Sequence, residues 1–146
     1  MSADLVRLLR WTELVSVLFM CGLIWFVQVV HYPLFAKVSG DYAGYQAAHV
    51  TRVTWVVAVP MLAELGAGVL LAIGGVGPWS LRVPATVLLG VVWLSTVFLQ
   101  VPMHDVLARG FDPAAHARLV DTNWIRTVGW TARAALCVAA TLRAPI

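Results

Sequence analysis

Charge is what this chain has least of. Only 12% of its 146 residues are Asp, Glu, Lys or Arg, whereas 61% are hydrophobic, and the mean hydropathy is +0.86. A soluble domain lies nearer ~25% charged and ~45–50% apolar, so the composition excludes an ordinary soluble fold and indicates an integral membrane protein. The net charge of +3 comes from scarce acids rather than from a basic patch. No run of Lys or Arg is present, so nothing points to nucleic acid. Cysteine is equally sparse. Cys21 and Cys137 stand in different apolar runs without a CxxC spacing; they read as buried thiols and say nothing about compartment. A Gly-rich phosphate loop, a Ser-His-Asp arrangement, an EF-hand, repeats and low-complexity tracts are all missing.

What is present is a set of long apolar runs. One domain over 1–146 is expected, with spans at about 13–30, 49–73, 82–101 and 122–142. The first run is longer than the ~7–15 residues of a signal core and no A-x-A-like site follows, so it reads as a span. Pro33 is expected to end that helix near Val30. Residues 34–48 then form a loop with a short interfacial helix. GGVGP at 74–78 breaks the chain, and Pro102 closes the third span. In the connector 103–121, Asp112 is placed to cap a short helix that begins at Pro113. Helices satisfy the backbone inside a bilayer. The expected fold is therefore all-α, an integral membrane four-helix bundle running up-down-up-down, in the inner (plasma) membrane. Arg7, Arg10, Arg82 and Arg143 on the side of the termini balance Lys37, Arg52, Arg109, Arg118 and Arg126 on the other, so orientation is open.

Helical periodicity gives each span one polar stripe. Glu13, Gln28 and His31 share a face of the first span, and His49, Pro60 and Glu64 a face of the second. Trp93, Gln100 and His104 align on the third, and Asn123, Thr127 and Trp130 on the fourth, with Arg126 and Arg133 beside them. Polar groups are costly in lipid, so these stripes should face the bundle interior. His31, His49 and His104 come from three helices at one membrane level. Neutral imidazoles suit a redox metal (Fe or Cu), and two of them suit haem. The alternative is that they are hydrogen-bonded to carbonyls, Tyr32, Tyr45 or Asp105. His116, in the connector, reads as solvated.

Glu64 and Arg133 lie at comparable depth, and an ion pair between them removes two unpaired buried charges. The rival role for Glu64 is catalytic, as a proton carrier or general base. Gln100, Asn123 and Arg126 would bind a polar substrate head, with Trp93, Trp130 and Trp55 lining the cavity; helix-packing hydrogen bonds are the alternative. Gly66 and Gly68 offer a small-residue face for a homodimer.

Three stretches carry a resemblance: WFVQVVHYPLF at 25–35, HVTRVTWVVAVPMLAE at 49–64, and WLSTVFLQVPMHDVLARGF at 93–111 with LVDTNWIRTVGWTAR at 119–133. In them the chain resembles a family of small bacterial four-span integral membrane proteins. In architecture and in its Asn/Trp/Arg ending it is more distantly similar to anthrone-oxygenase-like membrane proteins, which oxygenate polycyclic aromatics. Residues and resemblance together lead to the expectation of a membrane oxidoreductase or oxygenase acting on a lipophilic quinone or aromatic at a His-lined pocket. The competing expectation is a non-enzymatic carrier of metal, haem or lipid, or a subunit of a larger membrane complex.

Overall fold

The computed structural model describes residues 1–143, which are helical apart from short links, with no strand among them. Four long helices follow one another: α1 Ala3–Lys37, α2 Tyr42–Ile73, α3 Trp79–Leu107 and α4 Pro113–Arg143. The first three are long and apolar enough to cross a membrane. α4 does not meet that description, since it carries Arg118, Asp121, Arg126 and Arg133 among its apolar residues. Large apolar side chains point outward, with Trp55 76%, Val59 73% and Phe98 68% exposed. Glu13, Glu64, Gln100, Asn123 and Arg133 are buried. That inside-out distribution suits a lipid-bilayer environment.

The helices overrun their expected ends because the prolines bend the chain without breaking it. α1 passes Pro33 and reaches Lys37. Pro33 has no N–H to offer the carbonyl four residues back, and its ring crowds that carbonyl. The strain is taken up by a π turn over Val27–His31, where Tyr32 N–H bonds to the Val27 carbonyl. α3 repeats the device, with a π turn over Thr96–Gln100 ahead of Pro102. α2 starts at Tyr42 rather than at residue 49 because Asp41 Oδ1 accepts from Gly44 N at 2.9 Å and caps it. Asp112 Oδ1 accepts from Ala115 N at 2.8 Å, so Pro113 opens α4 itself and not a separate short helix. Gly75 (φ 63°) and Gly77 (φ 90°) let the chain reverse between α2 and α3.

α4 packs chiefly against α3 and α1, and α1 against α2, while α2 and α3 touch far less. At Gly129 an added Cβ would strike the Val92 side chain, so this glycine sets the close approach of α4 to α3. Gly66 is exposed, but Gly68 is buried inside the helix packing. The expected Gly66/Gly68 outer face therefore does not exist as a pair.

Candidate functional site

Two polar layers lie inside the helices. The one nearer the termini is fully charged and takes one residue from each helix. Arg82 Nη1 of α3 donates to Glu13 of α1 at 2.8 Å (Oε1) and 2.7 Å (Oε2). Arg133 of α4 donates from Nη2 to Glu13 Oε1 at 2.9 Å and from Nε to Glu64 Oε1 of α2 at 2.6 Å. Its Nη1 meets the Ala85 carbonyl, Arg82 Nε donates to the Val76 carbonyl at 3.2 Å, and Trp130 Nε1 donates to Glu64 Oε2 at 2.9 Å. Two carboxylates and two guanidiniums cancel in charge, and all four side chains are at most 8% exposed. Gly68 makes room for the cluster, because a Cβ there would stand 2.8 Å from Arg133 Nη2.

Glu64 and Arg133 are thus an ion pair within a larger tetrad. Sequence periodicity placed Glu13 on the inner stripe without a partner and counted Arg82 as a topological cation. The signal that finds both is charge balance. Two buried acids need two buried cations, and Arg82 opens the one span that follows the GGVGP break.

The second layer sits toward the opposite ends of the helices and is made of neutral polar groups. Tyr32 Oη lies 3.0 Å from His104 Nε2, and the Gln46 amide 2.8 Å from His104 Nδ1. His31 Nε2 lies 2.9 Å from His49 Nδ1. The rings gather closely, with centroids 4.8 Å apart for His31–His49 and 5.4 Å for His49–His104. His116 joins them and is not solvated as expected: its Nε2 bonds to the Tyr32 carbonyl at 2.8 Å. Deeper in, Asn123 Nδ2 donates to Gln28 Oε1 at 2.8 Å and Thr127 lies beside them, while Gln100 Nε2 donates to Thr122 Oγ1 at 2.8 Å.

The π turn explains why Tyr32 is here. On a straight α1, Tyr32 falls about 100° away from His31 and off the inner stripe. The extra residue of a π turn removes most of that angle. It swings Tyr32 inward to 4% exposure and leaves His31 half-buried on the flank. Gln46 escaped notice for a simpler reason: it lies one turn before His49, in a segment read as a loop.

A cavity of about 170 Å³ opens chiefly between α2 and α3, which touch little, with Met20 and Tyr32 of α1 and Arg126 of α4 completing its lining. Its polar end holds Tyr32, Gln100, His104, Asp105 and Arg126, and its body is apolar, with Met20, Val57 and Met61. Arg126 lies against the Trp130 ring, 5.6 Å from guanidinium carbon to ring centroid. It has no carboxylate within ion-pair distance among the described residues, and its Nε is buried without a hydrogen-bond partner there. Gln100 Oε1 is a second buried atom without a partner.

Of the expected substrate-binding set, Gln100 and Arg126 line the cavity. Asn123 is fully buried against Gln28, Trp93 is half-buried, and Trp130 serves Glu64 and Arg126. Trp55, expected in the lining, faces outward at 76% exposure. Glu64 lies in the tetrad and outside the cavity, with both oxygens accepting hydrogen bonds.

His31, His49 and His104 do not offer their nitrogens to one point. His31 and His49 face each other, and both nitrogens of His104 are engaged by Tyr32 and Gln46. Among the described residues no group of three His, Cys, Asp or Glu side chains is arranged to hold a metal ion. The residues as placed form a hydrogen-bonded histidine cluster. Compared with family models, curated proteins and solved structures, the chain matches none.

Proposed function

We propose that this chain is a multi-pass protein of the inner membrane, a four-helix bundle running up-down-up-down, which binds a lipophilic molecule and acts on it as an oxidoreductase or oxygenase. The ligand class is a quinone or an oxygen-bearing aromatic, in keeping with the resemblance noted in the sequence. Support for the topology comes from paired contacts that run in opposite senses. Gln28–Asn123 and Glu13–Arg133 join α1 to α4, and Gln100–Thr122 and Ala85–Arg133 join α3 to α4. In each pair the residue number falls on one helix as it rises on the other.

The single observation that carries the functional reading is the under-satisfied polar end of the cavity. A buried cation is costly without an anionic or strongly polar partner. Arg126 makes no ion pair among the described residues and its Nε has no hydrogen-bond partner there, while the neutral Tyr32 hydroxyl and the Trp130 ring face the rest of the guanidinium, so a ligand oxygen that carries or develops negative charge is the group that completes it. The apolar walls match a ring system. Tyr32 and His104 can exchange a proton with the same oxygen. When the Gln46 amide donates to His104 Nδ1, His104 Nε2–H donates to Tyr32 Oη, which leaves the phenol hydrogen free to point at the ligand. Gln100 Oε1 accepts from a ligand hydroxyl.

A short-chain quinone and a hydroxylated polycyclic aromatic titrated into the detergent-solubilised protein provide the test. Tryptophan quenching should saturate with both, and for the hydroxylated aromatic, with dissolved dioxygen as the oxidant, absorbance together with oxygen uptake should report turnover. Saturable binding without turnover would favour a non-enzymatic binding protein over an enzyme. Absence of binding by either class would overturn the proposed function.

A further inference from the structure

A second recess lies on the other side of α2. It is a groove of about 320 Å³ between α1 and α2, and Val53 contributes to both its wall and that of the cavity. The groove is divided along its length. Phe26, Val27, Val53 and Val56 form an apolar floor, while His31, Tyr45, His49 and Arg52 stand toward the end where α1 finishes and α2 begins. From Tyr45 to Val56 the groove follows α2 for about 16 Å at 1.5 Å per residue, comparable to a good part of an acyl chain.

The polar end is built but incomplete. Arg52 is exposed and makes no ion pair among the described residues. His49 is only 9% exposed, and its Nε2 has no hydrogen-bond partner among the described residues although Nδ1 is engaged by His31. Among the described residues no acid lines this groove, whereas Asp105 lines the cavity across α2. The local field therefore favours an anion, and the floor favours hydrocarbon.

We propose that the groove binds one anionic phospholipid of the surrounding bilayer. Its phosphodiester lies on Arg52, an oxygen or hydroxyl of the headgroup meets His49 Nε2, and one acyl chain runs along Phe26, Val27, Val53 and Val56. The assignment rests on the membrane reading above but not on any ligand in the cavity. Charge complementarity selects the occupant: a zwitterionic lipid fills the same floor but brings a cation to a site that already holds one.

Native mass spectrometry of the detergent-solubilised full chain, with phosphatidylglycerol or phosphatidylcholine added at equal ratio, is the experiment. One phosphatidylglycerol should be retained per chain, at least tenfold more than phosphatidylcholine. Arg52→Gln should reduce it to the phosphatidylcholine level, and Arg52→Lys should restore most of it. Val56→Trp, which fills the floor at a half-exposed position, should also reduce retention, whereas Arg118→Gln, an exposed cation outside the groove, should not. Equal retention of the two lipids, or Arg52→Gln behaving as wild type, would overturn the site. Extraction of membranes with alkaline carbonate separates the failures. A chain that washes off defeats the membrane reading, and an integral chain without lipid preference defeats only the lipid site.

Discussion

The two ends of this molecule handle buried polarity in opposite ways. Around Glu13, Glu64, Arg82 and Arg133, every carboxylate oxygen accepts a hydrogen bond and the charges cancel. Toward the other end, Gln46 Oε1, His49 Nε2, Gln100 Oε1 and Arg126 Nε are buried without partners among the described residues, and a cavity opens beside Gln100 and Arg126. None of the buried partnerless atoms belongs to the tetrad. Buried polar groups are normally paired, and those left unpaired call for a reason. Saturation marks the end that holds the helices together, and incompleteness marks the end where the proposed ligand would bind.

Breaking the saturated end should cost most. Arg133→Met strips Glu64 of its charge partner and Glu13 of one of its two, and removal of one member of a buried ion pair costs about 3–5 kcal/mol. We expect Arg133→Met to unfold at much lower temperature in detergent, or to fail to accumulate in membranes. Gly68→Ala pushes a methyl group at the Arg133 guanidinium, and overpacking of this kind costs about 1–3 kcal/mol. Its thermal unfolding should fall between Arg133→Met and wild type, and a Gly68→Ala protein as stable as wild type would show that the tetrad is loosely packed.

At the incomplete end the pattern should invert. Arg126→Gln removes a half-buried cation that makes no ion pair among the described residues, so the ligand-free protein should unfold at nearly the same temperature, while affinity for a quinone or hydroxylated aromatic falls at least tenfold, about 1.4 kcal/mol. Tyr32→Phe removes one hydrogen bond to His104, worth about 0.5–1.5 kcal/mol in stability. Turnover should fall by a larger factor than binding, read as a loss in kcat with little change in KM. The smallest effect belongs to neither end: Trp55→Ala, on the outward face, should stay within about 0.5 kcal/mol of wild type and leave binding unchanged.

The helical class and the inward stripes were legible from composition and periodicity, because 3.6-residue spacing fixes which residues share a face. Helix ends were not. A proline read in isolation stops a helix, yet Pro33 and Pro102 each follow a π turn that absorbs the lost hydrogen bond. The same turns carried Tyr32 off its straight-helix position and onto the site, which no uniform angle per residue reproduces. Pairing across helices was legible only where depth alone sufficed. Glu64 and Arg133 enter from one side at similar depth, but Glu13 and Arg82 needed the charge account of the whole interior. The histidines could be grouped by level, but the direction of their nitrogens depends on Tyr32 and Gln46, which hold His104 from both sides.

The division of labour between the two ends is tested most directly by the shift in unfolding temperature that a saturating quinone produces in wild type and in Arg126→Gln. Ligand present at about a hundredfold over its Kd stabilises the native state by about 2.7 kcal/mol. Wild type should show a clear upward shift, and Arg126→Gln should show almost none while its ligand-free unfolding temperature is undiminished. A full shift retained in Arg126→Gln, or a ligand-free protein destabilised as badly as Arg133→Met, would contradict the assignment of binding to one end and cohesion to the other.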